Sequence, residues 1–174
     1  MTERFNRGYI IAFAIVIGAL ILALAIRSVL DSPAYTVQLL LPSGETRTIS
    51  LRQIKALPAL TRKGVYENQF GNWRDEGIYT GLKVADLIGA DIEYTTLVVA
   101  ASDGYTMQIS RSRVEDPEYP LVLAYAFDGI EIPAWSDGPR IAVLPEDGDV
   151  SNAEYDTDSA GSFWVKNVIT LTPR

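Results

Sequence analysis

The chain has 174 residues with a net charge of −7, from 15 Lys and Arg against 22 Asp and Glu, and it contains neither Cys nor His. Without a thiolate or an imidazole there is no disulfide, iron–sulfur cluster, Ser-His-Asp triad, or ordinary zinc or haem site, because each requires one of those groups. Residues 1–30 carry a net +2, which leaves −9 on the rest, a charge that repels phosphate backbones and argues against nucleic acid as a partner.

Residues 8–26, GYIIAFAIVIGALILALAI, are nineteen positions without a charge. As a helix rising about 1.5 Å per residue they just cross a hydrocarbon core of about 30 Å. Arg4 and Arg7 precede this run, while Arg27 and then Asp31 follow it. The positive-inside tendency therefore places 1–7 in the cytoplasm and the remaining domain outside it, on a single-pass protein of the cell membrane. A cleaved signal peptide is the rival reading, since Ala23-Leu24-Ala25 resembles a processing site. The apolar region of such a signal runs about 7–15 residues, so a retained anchor is preferred. Residues 27–34 then form a short joint, and 35–174 are long enough to bury a core as one domain.

Two strands, 35–41 and 46–49, flank Pro42-Ser43-Gly44-Glu45 as a hairpin. Ser50 is placed to cap a helix over 51–57, which Pro58 stops. Residues 61–76, TRKGVYENQFGNWRDE, hold no single apolar period. Tyr79-Thr80-Gly81 leads into a predicted short helix over 82–88, ended by Gly89, with Leu82, Ala85 and Ile88 on its buried face. Between 97 and 147 lie three apolar runs, 97–101, 121–127 and 141–144, which read as strands. Asp103-Gly104, Asp128-Gly129 and Asp137-Gly138-Pro139 supply tight corners, because Gly takes positive φ freely and Asp bonds to backbone two residues on. The end of the chain, SFWVKNVITLT, predicts a terminal strand on which Lys166 shares a face with Trp164. Together these elements predict an α+β domain of mixed β-sheet with two or three short helices.

Asp103-Gly104-Tyr105, Asp116-Pro117-Glu118, Leu123-Ala124-Tyr125 with Asp128-Gly129, Gly138-Pro139-Arg140 and Val143-Leu144-Pro145 occur in one order over about fifty residues. In that order and spacing they resemble the molybdopterin-binding domain of sulfite-oxidase-type oxidoreductases, closely over 97–147 and loosely over 35–174. The resemblance implies that fold, a molybdopterin cofactor and a redox role. In the family a Cys-x-Gly-Asn loop supplies the sulfur that ligates molybdenum; the matching stretch here is Gln69-Phe70-Gly71-Asn72. An amide oxygen does not replace a soft, electron-donating thiolate. By the same resemblance Gly71, Asn72, Arg74 and Arg140 are candidate cofactor-binding residues. Tyr105 is the candidate catalytic residue, since the matching Tyr hydrogen-bonds substrate. Relatives tend to carry Lys-Trp where this chain has Phe163-Trp164, with Lys166 displaced by three positions.

Each candidate has a plainer alternative. Tyr105 can pack over its Asp-Gly turn, and Arg140 can pair with one of the many carboxylates rather than grip an anion in bidentate fashion. Arg111 and Arg113 are two apart, so on a strand they would share a face and join Arg140 in an anion pocket. Asp147, Asp149, Ser151 and Asp158 fall on positions 1, 3, 5 and 12 of a calcium-loop template. Asn152 replaces the template's Gly, however, and a solvated loop is the simpler reading. Three functions follow as expectations. The first is a pterin-binding redox domain without thiolate ligation. The second is a non-catalytic, membrane-attached ligand-binding or protein-interaction module that keeps the fold and has lost the cofactor. The third is a calcium-dependent surface module. A membrane redox or interaction partner suits the first two.

Overall fold

Pro42 and Gly44 turn the chain between β1 (Thr36–Leu40) and β2 (Thr46–Ser50), which pair antiparallel as expected. Gly44 takes φ +86, and the Leu41 N–H closes the turn on the Glu45 carbonyl at 2.9 Å. The computed structural model describes residues 36–174 and, before them, Ile17. The expected membrane segment, 8–26, thus lies outside the described residues apart from Ile17. No helix among the described residues is long and apolar enough to cross a membrane.

Ser50 caps α1 (Leu51–Lys55) through a reciprocal pair: its hydroxyl accepts from Gln53 N–H, and the Gln53 side chain accepts from Ser50 N–H at 2.8 Å. The helix is shorter than expected, and Leu51 and Ile54 bury its inner face. β3 (Ala59–Glu67) and β4 (Trp73–Lys83) then form the longest hairpin of the fold. Tyr79 to Lys83 extend β4 instead of opening a helix, so α2 is only Val84–Ile88, closed by Gly89 at φ +95. Leu82 and Ile88 are buried as expected, Leu82 from the strand.

β5 (Thr96–Ala101) and β6 (Thr106–Ser110) pair around Asp103-Gly104. α3 (Arg111–Val114) follows, so the SRSR segment is helical and not a strand. β7 (Leu121–Phe127) turns at Asp128-Gly129 into β8 (Ile130–Glu131), and β9 (Arg140–Val143) begins directly after a cis Gly138–Pro139 peptide. β10 (Asp149–Val150), a 3-10 turn at Ala160–Phe163 and β11 (Val168–Pro173) complete the chain. The predicted terminal strand therefore starts six residues late, and the alternation expected at Trp164 and Lys166 does not apply.

The first sheet has the order β2-β1-β11-β5-β6, with β1 and β11 parallel. The second runs β10-β3-β4-β7-β8, with β9 also on β7 and β10 parallel to β3. Both are mixed sheets carrying few helices, compatible with a sulfite-oxidase-like fold. The three apolar runs of 97–147 divide between them, β5 in the first sheet and β7 and β9 in the second. Val37, Leu39, Leu97 and Val99 alternate inward from the first sheet and join Leu82, Leu121, Leu123 and Ile141 of the second in one core.

Candidate functional site

The site is built on a defect in the β3–β4 ladder. Gly64 lies opposite Gly77 and Tyr66 opposite Arg74, so Val65 alone faces both Asp75 and Glu76. Such a β-bulge bends its strand and re-aims a side chain. Asp75 sits in it at φ +54, a conformation that costs most residues and that Asp tolerates better. Its Oδ2 accepts from Arg140 Nη2 at 2.5 Å and from the Tyr66 hydroxyl at 3.3 Å. The Tyr79 hydroxyl donates to the Asp75 carbonyl at 2.7 Å and so fixes the bulge from behind.

Arg140 is 2% exposed, and its guanidinium lies 5.8, 5.9 and 5.4 Å from the ring centres of Tyr66, Tyr79 and Trp164. A cation held there needs both an anion and π-faces to replace its water. Burial pushes the Asp75 carboxyl up, but the hydrogen bond and charge of Arg140, with Lys166 and Tyr66 adding to them, outweigh it and hold the carboxyl below its ordinary value. Burial, with the Asp75 charge second, raises the Tyr66 phenol, so it remains a donor. Arg140 Nε and Trp164 Nε1 are buried donors with no protein partner among the described residues.

Over this floor opens a cleft of about 490 Å³, bounded by the β3–β4 tip at Asn68, Gln69 and Phe70, the β5–β6 turn at Asp103 and Tyr105, and the segment from Ser159 to Lys166. Close backbone approach shapes its inner wall. A Cβ on Gly64 would stand 2.7 Å from Trp164 Cη2, and one on Gly161 2.5 Å from Tyr66 Cε2. The Tyr66 and Trp164 rings consequently meet at 5.0 Å.

The residues singled out from the sequence divide. Tyr105 lines the cleft, 45% exposed, with its N–H on Asp103 Oδ1 at 2.9 Å and its hydroxyl donating to the Ser162 carbonyl at 3.1 Å. Gly71 and Asn72 belong to the β3–β4 turn, organised by Asn68 Oδ1, which accepts from Phe70 and Asn72 N–H groups. They and Arg74, an exposed β4 residue, are not among the cleft's lining side chains, whereas their neighbours Gln69 and Phe70 are. Arg140 lies beneath the cleft and not on its surface. The anion pocket of three arginines does not form. Arg111 pairs with Glu93 and Glu115, and Arg113, on the helix α3 rather than a strand, donates to the carbonyls of Tyr155 and Asp156.

Lys166 lines the cleft, with Nζ 2.7 Å from Asp137 Oδ2 and 3.7 Å from Asp75 Oδ2. Asp75, Tyr66 and Asp137 were not among the sequence candidates. Of the calcium-template residues, Asp149 pairs with Lys63, Ser151 bonds Glu154, and Asp147 accepts from the Asp149 N–H. No group of three or more His, Cys, Asp or Glu suited to a metal gathers among the described residues.

A molybdopterin group does not fit this donor set. The chain has no Cys to hold its metal. Its phosphate would need a cation free at the cleft, yet Lys166, which lines it, is paired with Asp137, and Arg140 beneath it is buried against Asp75.

No protein-family model matches the chain, and no curated protein does so either. Among solved structures, it is similar to the sulfane dehydrogenase SoxCD from Paracoccus pantotrophus, with a TM-score of 0.59 and 16% sequence identity. The match covers 82% of this chain and 39% of that one, so the chain spans well under half the length of the protein it resembles. At this identity the likeness establishes a shared fold alone.

Proposed function

We propose that this is a non-catalytic, membrane-attached binding domain which keeps an oxidoreductase fold and uses the former cofactor cleft for a flat, polar, uncharged small molecule. The observation that carries this reading is the commitment to carboxylates of the cation that lines the cleft and of the one beneath it, Lys166 to Asp137 and Arg140 to Asp75. An anionic cofactor would have to break those pairs. The surface that remains offers the ring of Tyr105 for stacking, the Gln69 amide for hydrogen bonds in either sense and the Asn68 amide nitrogen as a donor. Residues 8–26 tether the domain to the membrane on its extracytoplasmic side.

The test is the content of full-length protein purified from a host that makes molybdopterin. Metal analysis and fluorescence of material released on denaturation should find neither molybdenum nor pterin in proportion to protein. One molybdenum and one pterin per chain would instead restore the redox reading that the resemblance implies.

A further inference from the structure

The cleft opens at the end of the domain where the chain arrives from the apolar segment. β1 runs parallel to β11 with Gln38 beside Thr170, so the start of β1 lies at the same end of the sheet as Val168, the start of β11. Val168 in turn pairs with Ala101, the last residue of β5 before the Asp103-Gly104 turn. Ala101, Asp103 and Tyr105 line the cleft. The nine residues 27–35 separate the apolar run from Thr36. Fully extended they reach about 30 Å. A domain of this length has a radius of gyration of about 14 Å and hence a width of about 35–40 Å. The joint is too short to pass around to the far side, so a tether at 8–26 holds the Thr36 end against the bilayer.

A second, independent feature marks the same end. Phe70, Trp73 and Tyr105 are 76%, 48% and 45% exposed, and they are the exposed large aromatic residues among those described. Phe70 and Tyr105 bound the cleft mouth, and Trp73 opens β4 at the same hairpin tip, paired with Glu67. Aromatic side chains concentrate where water gives way to lipid, since one edge is apolar and, in Trp and Tyr, the other can hydrogen-bond. With −9 on residues 31–174, electrostatics does not favour an anionic surface, which leaves zwitterionic lipid as the matching partner.

We infer that the β3–β4 tip docks Phe70 and Trp73 into the interfacial layer of a zwitterionic bilayer, so that the cleft faces the membrane and receives its ligand along it. This rests on the reading of 8–26 as a tether, and the experiment separates the two. The chain's three tryptophans, Trp73, Trp135 and Trp164, all lie in the domain, so the tether adds no emission of its own. Full-length protein is reconstituted into phosphatidylcholine vesicles brominated near the headgroup end of the acyl chains, then washed at alkaline pH. Retention with quenched tryptophan emission is expected, the quenching lost in Trp73→Phe, kept in Trp135→Phe, and restored when Phe70→Trp is added to Trp73→Phe. Retained protein with unquenched emission, or quenching indifferent to Trp73→Phe, overturns the docking while leaving the tether. Protein removed by the wash overturns both.

Discussion

Arg140 and Asp75 are 65 positions apart in the chain, yet the guanidinium of one and the carboxylate of the other form the charged floor of the cleft. Asp75 reaches Arg140 because β4 bulges where Val65 faces two residues. The pair explains how a 2% exposed Arg is tolerated beneath an aromatic wall, and why no anion is required to hold it there.

The first prediction concerns pH. The Asp75 carboxyl is held below its ordinary value, so its contribution to stability is complete above the usual carboxylate range and lost as pH falls through the lowered folded value. Asp75→Asn should therefore melt well below the wild type near neutrality, and the gap should narrow below about pH 4. Thermal melts of both proteins from neutral to acid pH check this; a gap that stays constant or widens in acid contradicts it.

A second prediction tests the close approach at the cleft wall. A Cβ at Gly64 would lie 2.6 Å from Leu144 Cδ2 and 2.7 Å from Trp164 Cη2, both buried side chains with little room to retreat. Gly64→Ala should cost about 1–3 kcal/mol, the usual range for overpacking a close-packed core. Chemical denaturation measures it, and an unchanged midpoint would show that Trp164 does not rest on the β3 backbone.

Tyr105 supplies the third. Its hydroxyl joins the β5–β6 turn to the Ser162 carbonyl at 3.1 Å from an exposed position. Tyr105→Phe should cost about 1 kcal/mol or less in stability, as for one solvent-accessible hydrogen bond. A loss of several kcal/mol would mean that the contact anchors the 3-10 turn far more firmly than its exposure allows.

The fourth concerns the start of α1. Ser50→Ala removes the acceptor for Gln53 N–H and breaks the reciprocal cap. The expected cost is about 1 kcal/mol, read from denaturation midpoints. An equal cost from Ser50→Asp, which preserves an acceptor, would contradict the capping role.

Local signals were legible where one residue type determines one geometry. Pro42-Ser43-Gly44 marked the first hairpin, Ser50 marked the helix start, and the run 121–127 matched β7 residue for residue. The β3–β4 hairpin was hidden because its faces are mostly half exposed and its alternation breaks at Asp75, so no apolar period survives across 61–76. The two arginines of SRSR are compatible with strand spacing, and only the helical turn after Ser110 sends them to Glu93, Glu115, Tyr155 and Asp156. The aromatic side of the cleft was partly visible through Tyr105 and Trp164. Its charged floor was not, because Asp75 carries no sequence mark that distinguishes it from the other acids, and its partner is fixed by tertiary register. The one local hint is that Asp tolerates positive φ, which suits a bulge.

The central claim is that Arg140 is neutralised within the protein and is not held ready for a ligand. A double-mutant cycle of Asp75→Asn and Arg140→Met on the ligand-free protein, read as unfolding free energies, measures this most directly. A coupling of about 2 kcal/mol is predicted, moderated by the 31% side-chain exposure of Asp75. Costs that add to within about 0.5 kcal/mol would contradict it and return Arg140 to the role of an anion-binding residue.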